Sequence, residues 1–163
     1  MIVAIFAIDD ANGMGLDNTI PWPFNKEDMA WFKRTTMEQV VVMGSNTWNS
    51  TNMLHPLPNR VNVVFSNKNK HTTHNNVIFL KGSVVEELCN LESQYPNNIV
   101  YVIGGPNLLL QAEPVIDKVL LTRIQGDYNC NVTLHTKHFL KNFKLIDTMN
   151  FKTCKVEEYE RIP

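Results

Sequence analysis

Short runs of β-branched and apolar residues, each closed by a glycine or a polar turn, set the limits on what this chain can become. Residues 2–8, 39–44, Val61–Phe65, Val77–Leu80 and 98–104 are near-continuous apolar segments, too short for buried helices. Such runs read as strands buried on both faces, the mark of a parallel sheet covered by helices. Helical stretches lie between them. Asn25 caps one that runs to about Thr36, and Ser83-Val84-Val85-Glu86 is a capping box leading into a stripe of Val84, Leu88 and Leu91. Another begins at Pro106, where a first helical turn prefers proline, and stops at Pro114. Lys118–Ile124 is a further strand, followed by two strand-like runs, about 143–149 and 153–159, joined by a turn. The expected fold class is α/β: one domain over residues 1–163, a mostly parallel central β-sheet with an antiparallel C-terminal hairpin, and about four flanking helices.

Composition narrows the function classes. With 163 residues there is chain enough for a real core. The net charge is −1, and no basic run suggests nucleic acid or an anionic membrane as a partner. The apolar runs are too short to span a bilayer. The first strand has no basic segment ahead of it and leads into a glycine loop, so no signal peptide is expected. Cys89, Cys130 and Cys154 are widely spaced and odd in number, which fits free thiols in a reducing, cytoplasmic compartment. His135 and His138 near Cys130 match no closed zinc spacing, and no metal is expected.

The segment 21–34 carries the chemistry. Two prolines bracket Trp22 and hold it in extended chain, where packing is less apt to hide it. In the helix after Asn25, Asp28 and Phe32 stand four apart on one face, so an inward Phe32 turns Asp28 inward too. An inward carboxylate needs a partner. The plainer alternative stays open at this point: Glu27 and Asp28 sit in a first turn, where acids complement the helix dipole. Gly44 followed by Ser45, Asn46 and Thr47 places a glycine and a hydroxyl between strand and helix, an arrangement that can seat a phosphate or be a plain turn. Gly104-Gly105 lets backbone approach a ligand, but it is not GxGxxG. Thr122 is a hydroxyl inside an apolar strand and needs a bond, from its own backbone or elsewhere.

In order along nearly the whole chain stand Ala7, Gly15 to Ile20, Pro21-Trp22, Asp28 with Ala30-Trp31-Phe32, and Met43-Gly44 with Thr47-Trp48. Leu57-Pro58 with Arg60, Ile103-Gly104-Gly105 and Thr122-Arg123-Ile124 follow. This ordered set resembles the dihydrofolate reductase family of bacteria and bacteriophages. The resemblance implies reduction of 7,8-dihydrofolate to tetrahydrofolate by hydride from NADPH, in support of one-carbon metabolism and thymidylate synthesis. It implies a monomer acting on a small-molecule substrate, with antifolates as inhibitors, in the cytoplasm of its cell or viral host.

By the same resemblance, Asp28, Trp22 and Thr122 are the catalytic group. Asp28 would meet the 2-amino and N3 edge of the pterin, a bidentate charge-assisted pairing. Arg60 would grip the glutamate tail, and Phe32, Met53 and Leu57 would hold the aminobenzoyl ring, with Ile5 and Ile103 also lining the substrate pocket. For the cofactor, Ala7, Gly15 and Ile20 would hold the nicotinamide end, and Ile103 would pack near the ring. Gly44, Ser45, Asn46, Thr47, Gly104, Gly105, Asn107 and Leu108 would surround the diphosphate. Ser66, Asn67 and Lys68 would meet the 2′-phosphate. Relatives carry a cis peptide at the Gly–Gly pair and use the loop 13–20 as a lid. Ser45, Asn46 and Asn67 stand where relatives often have cations, and Asn131-Val132 where many have Asp-Thr near the lid's docking loop. Two readings compete. One is the related reductase of riboflavin synthesis, which needs neither Asp28 nor Arg60. The other is a non-catalytic folate- or nucleotide-binding structural protein.

Overall fold

The first strand, β1 (Ile2–Ile8), shows how the sequence divides the interior. Its even positions Ile2, Ala4, Phe6 and Ile8 enter one apolar cluster, while Val3 and Ile5 enter another on the opposite face. The computed structural model describes residues 1–15, 22, 25–50, 56–67, 73–74 and 77–163. After β1 come β2 (Gly13–Gly15), α1 (Lys26–Thr36), β3 (Val40–Gly44), α2 (Ser45–Trp48), β4 (Val61–Phe65), β5 (Thr73–His74) and β6 (Val77–Leu80). The chain continues through α3 (Val84–Gln94), β7 (Val100–Gly104), α4 (Pro106–Ala112), β8 (Lys118–Ile124), β9 (Val132–Thr133), α5 (Thr136–Phe139), β10 (Phe143–Asn150) and β11 (Cys154–Arg161).

Among the described residues, nine strands form one sheet in the order β10-β11-β8-β1-β7-β3-β4-β6-β5. The pairs from β8 through β1, β7, β3 and β4 to β6 are parallel. β11 joins β8 antiparallel and β10 completes the hairpin, as the C-terminal runs led one to expect. β1 and β7 lie side by side where the connections part toward opposite edges of the sheet. In open α/β sheets such a switch point is where ligands bind, beyond the carboxyl ends of the strands.

α3 and α4 cover one face, with Val84, Leu88, Leu91, Leu108, Leu109 and Ala112 packed on β1, β3 and β7. On the other face, Trp31 and Phe32 of α1 pack on Val3, Ile5, Val41, Met43, Tyr101, Ile103 and Leu120. A helix lying on one sheet face thus brings its own inward row toward the parallel strands. The small sheet of β2 and β9, the short α5 and the two-residue β5 had no counterpart in the sequence reading. Segments of two to four residues are too brief for periodicity to register.

Candidate active site

Asn25 starts the site. Its side-chain oxygen accepts from the backbone N–H of Asp28 at 2.9 Å, so the cap fixes the residue that carries the acid. Glu27, the neighbouring acid, turns away and grips the β10–β11 turn. Its carboxylate accepts from the Thr153 backbone N–H at 2.8 Å and the Thr153 hydroxyl at 2.6 Å. The two first-turn acids therefore divide their work: Glu27 anchors the helix start to the hairpin, and Asp28 faces the sheet.

Asp28 meets Thr122 there. Thr122, 2% exposed, lies beside the Asp28 carboxylate, and its hydroxyl favours the ionised form. Thr122 stands in register with Ala7 of β1 and Val156 of β11, on the face that α1 covers. Burial pushes the Asp28 carboxyl above its ordinary range, and the Thr122 hydroxyl opposes the rise without cancelling it. Cys154, beside them, has its thiol pushed up to about 11, by burial first and then by the charges of Asp28 and Glu27.

Trp22 is buried, at 7% exposure, which corrects the expectation that its prolines would leave it open. It packs with Ile124 and Cys154, with Ala7, Tyr128 and Phe151 against the same cluster, and its ring stands edge-on to Tyr128 at 6.2 Å. The prolines restrict the backbone, but an indole on an extended chain still finds apolar surface if the sheet offers it. Ile5, Ile103, Leu57 and the half-buried Phe32 gather in the cluster under α1.

Arg60 is buried at the start of β4. Its Nε donates to the Pro58 carbonyl at 2.9 Å and its Nη1 to the Thr36 hydroxyl at 3.0 Å. The loop that carries it is clamped by Asn62, whose Oδ1 accepts from the Leu57 N–H at 2.9 Å. The Asn62 amide donates to the carbonyls of Leu57 at 2.9 Å and Arg60 at 3.1 Å. Sequence reasoning passed over Asn62 and Thr36. A polar residue between Val61 and Val63 in a buried strand was the signal for Asn62; nothing marked Thr36.

The glycines come together at the carboxyl ends of β3 and β7. Gly104-Gly105 is a cis peptide, with Gly104 at φ +128°, a backbone conformation that favours glycine. Cβ atoms at Gly104 and Gly105 would lie 3.8 and 3.9 Å from the Thr47 hydroxyl, and one at Gly44 would lie 3.8 Å from the Gly104 carbonyl. Two helices, α2 and α4, begin at this place with glycine N-caps and no side-chain cap bond. Bare backbone, one hydroxyl and uncapped helix starts can hold an anion such as a diphosphate.

The remaining site candidates are spread around this point. Gly15 pairs with Val132 between β2 and β9. Ser45, Asn46, Asn67 and Asn107 are exposed. The Ser66 backbone donates to the Leu80 carbonyl at 3.0 Å, which fixes the turn after β4. Leu108 lies in the core on the α3 side, so its side chain is spent on packing and its backbone alone is free to serve a ligand. Ile20, Met53, Lys68 and most of the expected lid lie outside the described residues. Among the described residues no group of three or more His, Cys, Asp or Glu could hold a metal ion. No helix among them is long and apolar enough to cross a membrane.

Comparison with known proteins agrees with this fold. Residues 1–161 match the family model described as Dihydrofolate reductase. A dihydrofolate reductase of Buchnera aphidicola subsp. Schizaphis graminum is 37% identical over 128 residues, covering 78% of this chain and 73% of that protein. A segregation and condensation protein A of Mycoplasmoides gallisepticum is 29% identical over 166 residues, covering 100% of this chain. The chain spans 26% of that protein's length, and 31% and 30% of two others that it matches. Among solved structures, a dihydrofolate reductase from Enterococcus faecalis, complexed with NADP(H) and RAB-propyl, superposes with a TM-score of 0.84 at 22% identity. It covers 100% of this chain and 97% of its own. The match over almost every residue, together with the substantial identity to a relative of similar span, shows that the chain belongs to the dihydrofolate reductase family.

Proposed function

We propose that this protein reduces 7,8-dihydrofolate to 5,6,7,8-tetrahydrofolate with NADPH. The observation that carries the reading is the half-buried Asp28 carboxylate beside Thr122 in an otherwise apolar corner between α1 and the sheet. A flat heterocycle offering two adjacent N–H donors, such as the 2-amino and N3 edge of a pterin, satisfies both carboxylate oxygens at once. The neighbouring Ile5, Phe32 and Ile103 supply the apolar walls that such a ring needs.

The reaction adds a hydride at C6 and a proton at N5. The hydride is what NADPH supplies when bound. The cradle of Gly44, Gly104, Gly105 and Thr47 fits that cofactor, since its backbone is bare where a diphosphate must come close. Ser66 and Asn67 at the end of β4 would meet the 2′-phosphate. On the substrate side, the ionised Asp28 carboxylate binds and orients the pterin, and its raised pKa means that this pairing form is reached only at higher pH than for an ordinary carboxylate. The carboxylate holds the pyrimidine edge, so the N5 proton travels through water ordered near Trp22. Arg60, presented by the Asn62 clamp, takes the carboxylate of the substrate's tail.

The same reading makes the protein a monomeric, cytoplasmic enzyme with a small-molecule substrate. Cys89, Cys130 and Cys154 are free thiols, which suits a reducing compartment. The decisive experiment follows NADPH oxidation by absorbance with purified protein and dihydrofolate, repeated with NADH. Turnover with dihydrofolate supports the proposal. NADPH binding without turnover rejects it in favour of a binding protein.

A further inference from the structure

Among the described residues, Asp9 is the most buried acid outside the site just described, at 1% exposure, and the chemistry above gives it no task. It stands at the carboxyl end of β1, two residues past Ala7. One oxygen, Oδ1, accepts from the backbone N–H groups of Ala11 at 2.9 Å and Gly13 at 2.7 Å. The other, Oδ2, accepts from the backbone N–H of Tyr128 at 3.0 Å and from the Cys130 thiol at 3.5 Å. One carboxylate therefore grips two loops that are 119 residues apart in sequence.

The fit around it is close. A Cβ at Gly13 would lie 2.4 Å from the Cys130 sulfur and 2.8 Å from Asp9 Oδ2, so the loop before β2 can approach this far as glycine alone. Secondary ties run alongside. The Asp10 carboxylate accepts from the Gly126 N–H at 2.8 Å, and the Thr136 hydroxyl donates to the Asn12 side chain at 2.8 Å. Beyond the carboxylate, the Tyr128 ring meets the Trp22 ring, and Trp22 packs on Ile124 and Cys154 next to Asp28. The route from Asp9 to the acid corner is thus one hydrogen bond and one ring contact long.

We propose that Asp9 is a positioning residue for the reaction: by holding the Tyr128 backbone against the β1–β2 loop, it sets where Trp22 stands beside Asp28. The proposal rests on the reductase reading for its effect on rate, and on the structure alone for its effect on Trp22. Asn at position 9 keeps one acceptor for Ala11 and Gly13 but turns an amide donor toward the Tyr128 N–H. Two donors cannot pair, so the Tyr128 link is the one that breaks.

The test compares the native protein with Asp9→Asn, Tyr128→Leu and the double variant. Single-turnover hydride transfer, KM for dihydrofolate and the NMR signal of the Trp22 indole N–H are measured for each. Asp9→Asn is expected to slow hydride transfer by about tenfold with the substrate KM changed less than about twofold, the pattern of a displaced group. It should move the Trp22 signal, as Tyr128→Leu does, and the double variant should be no slower than the slower single one. If Asp9→Asn lowers the melting temperature but leaves both the Trp22 signal and the hydride step unchanged, the residue is structural only and the proposal falls. Should Asp9→Asn fail to fold, an unchanged hydride rate and Trp22 signal in Tyr128→Leu overturn it equally. A native protein without turnover would reject the reductase reading, while the Trp22 signal would still decide the clasp.

Discussion

Thr122 on β8 lies beside Asp28 on α1, where the covering helix meets the sheet, and its hydroxyl bears on the charge of the acid. Thr122 stabilises the ionised form, and so works against the burial that raises the Asp28 pKa. Thr122→Val removes the hydroxyl while keeping the shape. The acid limb of the kcat/KM profile should move to higher pH, and kcat/KM at pH 7 should fall by roughly tenfold. Thr122→Ser should restore both. A profile that Thr122→Val leaves in place would separate the hydroxyl from the titration.

Asp28→Asn is expected to lower turnover by about 10²–10⁴ at neutral pH, the range for losing an acid–base partner. The same variant should raise stability. The folded pKa of Asp28 is raised by burial above its value in the unfolded chain. Its stabilising contribution is therefore fully present below the ordinary carboxylate range and is lost as pH rises through the folded value. Asn carries no charge at any pH. Calorimetry should show Asp28→Asn melting above the native protein at pH 7, with the gap closing as pH falls below the ordinary aspartate range.

Asn62 holds the loop that presents Arg60, so the two residues should fail in the same direction. Arg60→Leu should raise the dihydrofolate KM by roughly 10²-fold with little change in kcat, since the grip is on a part of the substrate remote from the reacting atoms. Asn62→Ala leaves the Leu57 N–H and the carbonyls of Leu57 and Arg60 without their partner. It should raise the same KM by about tenfold and cost about 1–3 kcal/mol of stability. A rise in the NADPH KM instead, with dihydrofolate unaffected, would mean Arg60 serves the cofactor.

How much of this could be read from the chain depended on length scale. The strands of the parallel sheet announced themselves because burial on both faces leaves unbroken apolar runs, as in Val40–Gly44 and Val61–Phe65. Asp28 was legible because Phe32 four residues on fixed which way the helix face turned. Thr122 was half legible: its need for a partner was plain, but the acid beside it lies on an element 94 residues earlier, and no local rule names it. In sequence, Asp9 is only an acid at the start of the glycine loop after the first strand, where acids are common. Its grip on Tyr128 depends on two loops meeting at the end of β1, which is tertiary information. Trp22 was misjudged because proline rules govern the backbone and say nothing about where a large ring can be buried.

The turn after β4 offers the last test, because its charge is low where a 2′-phosphate is expected to sit. Ser66 is fixed by its backbone bond to Leu80, and the next residue, Asn67, is exposed. Asn67→Arg places a planar fork of donors beside the serine without disturbing buried structure, so the fold should be unaffected. The KM for NADPH is expected to fall by roughly tenfold, and the KM for NADH to stay where it is, since NADH lacks the phosphate. The gain should shrink as salt is raised from 0.05 to about 0.5 M, because an exposed pairing is screened over a few ångströms at that strength. Steady-state kinetics with both cofactors at two salt concentrations measure all of this. Equal improvement for NADPH and NADH would place the new charge near the shared diphosphate rather than the 2′-phosphate. No change for either would remove the Ser66–Asn67 turn from the cofactor site.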